Sequence, residues 1–450
     1  MKQYLKYITT IIVMAIVVFE IIVLGILKFP EGVFYSSYQS VIVDKYRMLQ
    51  NTDEPKIIIV AGSSGAFGLD QKMLEEATGY KVVNLGLHAA FGHLFHTELA
   101  KENINEGDIV LLGYEYDWQS GFDMLGQDLI MSGIDDNIDM YTHIPIRKWP
   151  EFIGYIFKYA EKKNTYQGPT FYARDIFDET GQMTVDREYV MNYSENSEKH
   201  GAFHVRSWVL TEDTVEYLKD FKKYVENKGA NVYFISPPLI REAVICDYAE
   251  FDNLVKEEEE QIGIPYISNP TDYLFENELI FDTFYHCSTK GEKVRTQLLI
   301  GDLKRASIID TEWPLPLDIS FKSETNTAAG YTTSGFSDAE SWGTWTSGKE
   351  AILSFNYLDA QSDLVLTLEC PMSYGEQSVL IYANDVLIDE YVFSGNENRS
   401  IVIPKDCIQD DSLTIRFELP DAVSPKEKGE SEDTRELAIG ISRLTLERVE

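Results

Sequence analysis

Two short segments carry residue types suited to nucleophilic chemistry, provided the fold brings them together. The first, Ala61-Gly62-Ser63-Ser64-Gly65-Ala66-Phe67-Gly68-Leu69-Asp70, follows the apolar run KIIIVA at 56–61 and places small residues where a strand would turn sharply into a helix. A serine there stands at the carboxyl end of a strand, the edge at which open α/β sheets bind ligands, beside a helix start with unpaired N–H groups. Alone, a Gly-Ser-Ser-Gly turn serves equally well as a phosphate loop or a plain connector. The second segment, Asp282-Thr283-Phe284-Tyr285-His286, supplies what the serine lacks. A hydroxyl becomes a nucleophile when an imidazole takes its proton, and the imidazole needs a carboxylate to fix its tautomer and stabilise its charged form. Taken singly, the aspartate reads as a turn cap and the histidine as a surface residue.

The elements that must position these segments follow from hydrophobic patterning. Val- and Ile-rich runs at 56–61, 81–85, 108–113, 231–236 and 264–267 alternate with longer helix-like stretches, among them Gln71–Thr78, Thr211–Asn227 and Ser288–Ala306. Such alternation predicts an α/β fold with a parallel sheet sandwiched by helices. More residues separate the third and fourth runs than one crossover needs, so 119–210 is expected to be an insertion over the strand ends. After about residue 308 the pattern changes to short alternating runs (AILSFNYL, DLVLTLEC, SVLIYAN, VLIDEYVF, SLTIRFEL, LAIGISRLTLERV), which predict an all-β sandwich with a tight turn at Asn384-Asp385. The expected organisation is a cytoplasmic tip and anchor at 1–30, an α/β domain at 31–307 and a β-sandwich at 320–450.

The serine after the first strand, with Asp and His on one late loop, resembles the SGNH (GDSL-type) hydrolase superfamily over roughly residues 55–305. It is most similar to the membrane-tethered surface subgroup that includes proteins of teichoic-acid D-alanylation and alginate O-acetylation. In that subgroup a Gly-x-Ser turn ahead of Gly-Leu-Asp matches Gly68-Leu69-Asp70, and a late Asp-Thr-x-Tyr-His matches 282–286. The resemblance implies that Ser63 is the nucleophile, His286 the general base and Asp282 its orienting partner. The spacing of common soluble members would place the nucleophile at Ser64 instead. It further implies that Gly86, in Asn84-Leu85-Gly86-Leu87, donates its N–H to an oxyanion together with the N–H of Ser64, and that no cofactor is needed. Where the superfamily's third block has an asparagine donor, this chain has Glu115, in Gly113-Tyr114-Glu115-Tyr116-Asp117, and an ionised carboxylate cannot donate. Glu115 and Tyr116 are expected to face substrate.

From Ile8 to Leu27 the chain is apolar, and at about 1.5 Å per residue this run spans a bilayer core of about 30 Å. Lys2 and Lys6 precede it, which predicts a single-pass anchor in the cell membrane with a cytoplasmic N-terminus and an extracellular ectodomain. Glu20 within the run marks a candidate contact for a membrane partner. The 39 Lys+Arg against 74 Asp+Glu give a net charge of −35, which excludes nucleic-acid binding and charge-driven attachment to anionic lipid. Four dispersed cysteines form no CxxC pair; they read as free thiols, with Cys370 and Cys407 the pair to test for a bridge. His88, His93 and His96 lack a nearby paired carboxylate or cysteine, so no metal site is expected. Trp342 and Trp345 are candidate sugar contacts on the sandwich, or core packing.

Two functions remain in view. One is an extracytoplasmic serine esterase or O-acyltransferase acting on acyl, chiefly acetyl, esters of a cell-surface polysaccharide, partnered in the transfer case by a multispanning membrane acyltransferase. The alternative is a non-catalytic scaffold or glycan-binding protein of surface-polymer assembly.

Overall fold

The structure is a computed structural model that describes residues 2–116, 118–169, 172–188, 203–205, 210–309, 315–322, 328, 331–337, 339–356, 362–408 and 412–449. Four parallel strands, β1 (Lys56–Ala61), β2 (Lys81–Asn84), β3 (Ile109–Gly113) and β4 (Asn231–Phe234), form a sheet in the order β2-β1-β3-β4. Every residue of β1 and β3 is buried, as expected of a sheet covered on both faces. Alternation along β1 shows how: Ile58 and Val60 join one apolar core, whereas Ile57, Ile59 and Ala61 join another.

In chain order the helices are α1 (Lys2–Lys28), α2 (Val41–Asn51), α3 (Ser63–Gly68), α4 (Gln71–Thr78), α5 (His93–Ala100), α6 (Trp118–Gly121), α7 (Gln127–Ile134), α8 (Trp149–Thr165), α9 (Glu212–Asn227), α10 (Ala249–Ile262) and α11 (Thr289–Arg305). Local chemistry sets several boundaries. Asp70 caps α4 by accepting from Met73 N–H at 3.0 Å, and Gly79 ends it in the left-handed region that glycine adopts without strain. Ser288 caps α11 through Gly291 N–H at 3.2 Å. The run at 264–267, expected as a fifth strand, forms only a parallel bridge between Phe234 and Tyr266. Of the expected insertion, α6, α7 and α8 are described, while 170–171, 189–202 and 206–209 lie outside the described residues.

The helix α1 is long and apolar enough to cross a membrane. Its last turn is held by the helices after β3. Lys163 of α8 donates to the Leu27 carbonyl at 3.1 Å and pairs with Asp135 at 2.9 Å, and Lys28 lies 3.4 Å from Asp136. A lysine on the terminal carbonyls satisfies acceptors that a helix end leaves open.

From Leu317 onward the described chain forms antiparallel sheets of five, four and three strands. Leu364–Cys370 and Gln377–Ala383 alternate buried and half-buried positions around a common core. The Asn384-Asp385 turn has positive φ at both residues, 43° and 66°, matching the twist of the strands it joins. All four cysteines are free, Cys370 and Cys407 included.

The start of the sheet is pinned by a fully buried ion pair, Lys56 Nζ to Asp108 Oδ2 at 2.7 Å, and Asp108 also accepts from the N–H groups of Lys56 and Asn105. Removing one member of such a pair strands the other's charge. Asp108→Ala is expected to destabilise the chain by about 3–5 kcal/mol in denaturant unfolding monitored by circular dichroism.

Candidate active site

In a sheet ordered β2-β1-β3-β4, the connections from β1 and β3 diverge to either side, leaving a crevice at their carboxyl ends. α3 starts there. The approach of neighbouring groups accounts for its glycines: a Cβ on Gly62 would sit 2.5 Å from both Glu115 carboxylate oxygens, and one on Gly65 would sit 2.8 Å from the Ala61 Cβ. A helix of six residues leaves most of its carbonyls without intrahelical donors, and buried side chains from distant segments take them. Arg295 of α11 donates to the Ser64 carbonyl at 2.5 Å, and the Asn84 amide donates to the Gly65 carbonyl at 2.9 Å. On the other side of the same residue, Ser64 N–H donates to Glu115 Oε1 at 2.9 Å. Lys45 fixes the Asn84 segment by donating to its carbonyl at 2.9 Å, and burial lowers the Lys45 pKa to about 7.

This clamp separates the two serines. Ser64 is fully buried, its hydroxyl turned toward the Gly113 carbonyl at 3.5 Å. Ser63 instead lines a cavity of about 770 Å³, shared with Phe67, His88, Tyr172, Thr283 and His286. His286 stacks flat on Phe67, with ring centroids 3.9 Å apart and planes 3° from parallel. Its Nδ1 lies 2.6 Å from Asp282 Oδ1, so Nδ1–H donates to the carboxylate and Nε2 is left as the proton acceptor. The Tyr172 hydroxyl donates to the other Asp282 oxygen. Burial disfavours the charged form of Asp282, but the His286 ring and the Tyr172 hydroxyl outweigh it and hold the carboxyl below its ordinary value. Among the described residues no hydrogen bond joins Ser63 to His286; such contacts often form only in the complex with substrate.

The expected oxyanion donors and substrate contacts are placed differently. The N–H of Ser64 is taken by Glu115, and the N–H of Gly86 donates to Asn84 Oδ1 at 2.9 Å. Both are engaged because a turn with so little room must satisfy its own buried polar groups. Glu115 and Tyr116 are each 3% exposed and line no part of the cavity. Glu115 supports the turn, while Tyr116 packs edge-on against Phe251. Trp342 and Trp345 meet edge to face at 5.4 Å in the C-terminal region, both half-buried, with the Trp342 ring held over Gly440. His93 and His96 are buried, and no cluster of metal-ligating residues occurs among the described residues. Sequence reasoning missed His88, Tyr38 and Tyr172 on the cavity wall and Arg295 beneath it. No sequence signal singles out Arg295, because the same helix also carries Lys290, Lys293, Lys304 and Arg305.

Arg295→Met is expected to lower unfolding stability by about 1.5–3 kcal/mol, the worth of a charged hydrogen bond, in denaturant unfolding. A second outcome concerns His96, fully buried, whose pKa burial pulls from 6.5 to about 3. The unfolded chain takes up that proton first on acidification. Stability is therefore complete above about pH 6.5 and falls as pH drops toward 3, by at most ~1.4 kcal/mol per pH unit from this residue. Unfolding midpoints measured across that range should show a shallower slope in His96→Leu.

No family model matches the chain, and no curated protein matches it. Among solved structures, it is similar to a family 36 carbohydrate-binding module of a multidomain xylanase from the hindgut metagenome of Trinervitermes trinervoides (12% identity, 30% of this chain, 98% of that one, TM-score 0.21). It is also similar to a family 35 carbohydrate-binding module from Clostridium thermocellum (12% identity, 29% and 96%, TM-score 0.17). A third match is an acetyl xylan esterase from the rumen bacterium Butyrivibrio proteoclasticus (11% identity, 30% and 34%, TM-score 0.20). Likeness at this level carries no argument about what this chain binds or does.

Proposed function

We propose that the chain is a membrane-anchored serine acyl-transfer enzyme of the SGNH type, acting outside the cell membrane on acyl, chiefly acetyl, esters of a surface polysaccharide. The observation that carries this reading is the shared cavity: Ser63 and His286, from opposite ends of the α/β region, line one wall of it, and Asp282 is bound to His286 Nδ1. Ser63 Oγ attacks the ester carbonyl while His286 Nε2 takes its proton. The tetrahedral intermediate collapses to an acyl-serine, and the departing sugar alkoxide leaves with the proton returned from His286. Water as the second acceptor gives an esterase; a sugar hydroxyl gives an O-acyltransferase. In either case His286 activates the acceptor as it first activated Ser63. Asp282 stabilises the imidazolium, and Tyr172 keeps the carboxylate oriented. The cavity volume lies within the range of small-ligand sites, and Gln39, Thr165 and Gln167 on its walls offer amide and hydroxyl groups to a sugar.

The oxyanion falls to the N–H of Ser63 itself, which has no partner among the described residues. With the N–H groups of Ser64 and Gly86 engaged, turnover is expected to be slower by on the order of 10²–10³ for each donor lost. The same two engaged donors favour a second reading, a non-catalytic scaffold or glycan-binding protein in which the C-terminal β-sandwich does the recognising.

Acetate release from p-nitrophenyl acetate and from an acetylated polysaccharide separates the two. The catalytic reading expects slow release that Ser63→Ala and His286→Ala abolish and Ser64→Ala retains. Asp282→Asn should cost on the order of 10⁴ in kcat, the loss that follows when the orienting carboxylate of a triad is neutralised. Equal background release by all variants would leave only the binding reading, which expects polysaccharide binding to survive Ser63→Ala.

A further inference from the structure

The exposed surface of α8 is not uniformly polar. Phe152, Ile156, Tyr159 and Lys163 face the interior, and Glu151, Lys158 and Lys162 lie on one flank of that stripe. On the other flank, Ile153 and Phe157 follow each other at helical spacing and are 40% and 64% exposed, continuing the line of Ile146, which is 85% exposed just before the helix. Single exposed apolar residues need no explanation, but an ordered row of them does.

What covers this row follows from its neighbours. The same helix holds the end of α1: Lys163 donates to the Leu27 carbonyl, and Phe29, the residue after α1, is 65% exposed. Six residues separate Phe157 from Lys163, about 9 Å along the helix axis, so the row begins close to the point where α1 meets the α/β region. Charge neither drives nor opposes this placement: Lys148, Lys162 and Lys163 are neutralised by Asp123, Asp128 and Asp135 at 3.0, 2.7 and 2.9 Å. An exposed apolar flank on a helix whose end meets α1 is what a helix lying in a bilayer interface presents to the acyl chains. The overall negative charge excludes attachment driven by charge alone, not the seating of a tethered face.

We infer that α8 is a second membrane contact, with Ile146, Ile153 and Phe157 immersed at the surface of the bilayer that α1 crosses. The inference rests on the reading of α1 as a membrane span. It adds that the α/β region is seated on the membrane instead of hanging from a tether. Lys162, Thr165, Tyr166 and Gln167 at the end of α8 also line the cavity, so this seating fixes the height of Ser63 above the headgroups.

Nitroxide labels on the full chain test it. Ile12→Cys, Ile153→Cys, Phe157→Cys and Lys158→Cys, each in a Cys246→Ser background, are reconstituted in vesicles of phosphatidylcholine and phosphatidylglycerol. Collision with oxygen, which partitions into lipid, is compared with collision with a water-soluble nickel chelate. All four positions are exposed, so labelling leaves the packing intact. Labels at 153 and 157 should resemble the one at 12, with oxygen favoured, whereas the label at 158 should favour the chelate. If 153 and 157 favour the chelate while 12 favours oxygen, α1 spans and the seating is refuted. If 153 and 157 are shielded from both reagents, protein covers the row, and the inference fails equally. If 12 itself favours the chelate, the span is lost and the seating with it.

Discussion

The backbone of one residue governs the site. The residue after the candidate nucleophile, Ser64, is gripped on both sides by buried charge, its N–H by Glu115 and its carbonyl by Arg295. A short helix at a strand end would fray on its own, because few of its hydrogen bonds are internal. Three segments far apart in the chain, ending β2, following β3 and within α11, are therefore recruited to hold its first turn. Each holding group is buried, so losing one would leave its partner unsatisfied at the cost of a desolvated polar or charged group. The result is that Ser63 has little freedom in facing the cavity and Ser64 is kept from it. The same clamp gives Glu115 its place: its carboxylate accepts from the turn.

The sequence disclosed the parts of this arrangement that depend on local pattern. β1 and β3 were legible because a fully buried parallel strand is a short uninterrupted apolar run, and α4 because a Gly-Tyr break at 79–80 follows it. Asp282 and His286 were legible because both groups come from one loop. The clamp was not, since no spacing links Glu115, Asn84 and Arg295; their proximity exists only once the sheet is ordered β2-β1-β3-β4. The engagement of the Ser64 N–H by Glu115 was hidden for that reason, whereas that of the Gly86 N–H by Asn84 is a local turn contact two residues apart. At 264–267, apolar character suggested a full strand, but Pro265 offers no N–H, and pairing is limited to bonds between Phe234 and its two neighbours across the edge. The last run, LAIGISRLTLERV, read as one strand and is two, Leu437–Ile441 and Arg443–Arg448, in different sheets.

The apolar helix α1 and the cavity are joined closely. Phe34, shortly after α1, is fully buried against Tyr166, with ring centroids 4.8 Å apart, and Tyr166 also lines the cavity. Tyr38, a few residues further on, lines the cavity too and donates to the Leu87 carbonyl beyond β2. The segment that leaves α1 thus becomes part of the site wall, and ring contacts run from Tyr38 through Tyr172 and Phe67 to His286.

The central claim is that Ser63 carries an acyl group during turnover. It is tested most directly by acid-quenching the full chain after brief exposure to an isotopically labelled acetyl ester, then locating the label by peptide mass spectrometry. The account predicts one acetyl group on Ser63, present in the wild type and absent from Ser63→Ala and from His286→Ala, which lacks the base that activates the serine. Label on Ser64 or on scattered lysines, or none on the 62–68 turn, would contradict it.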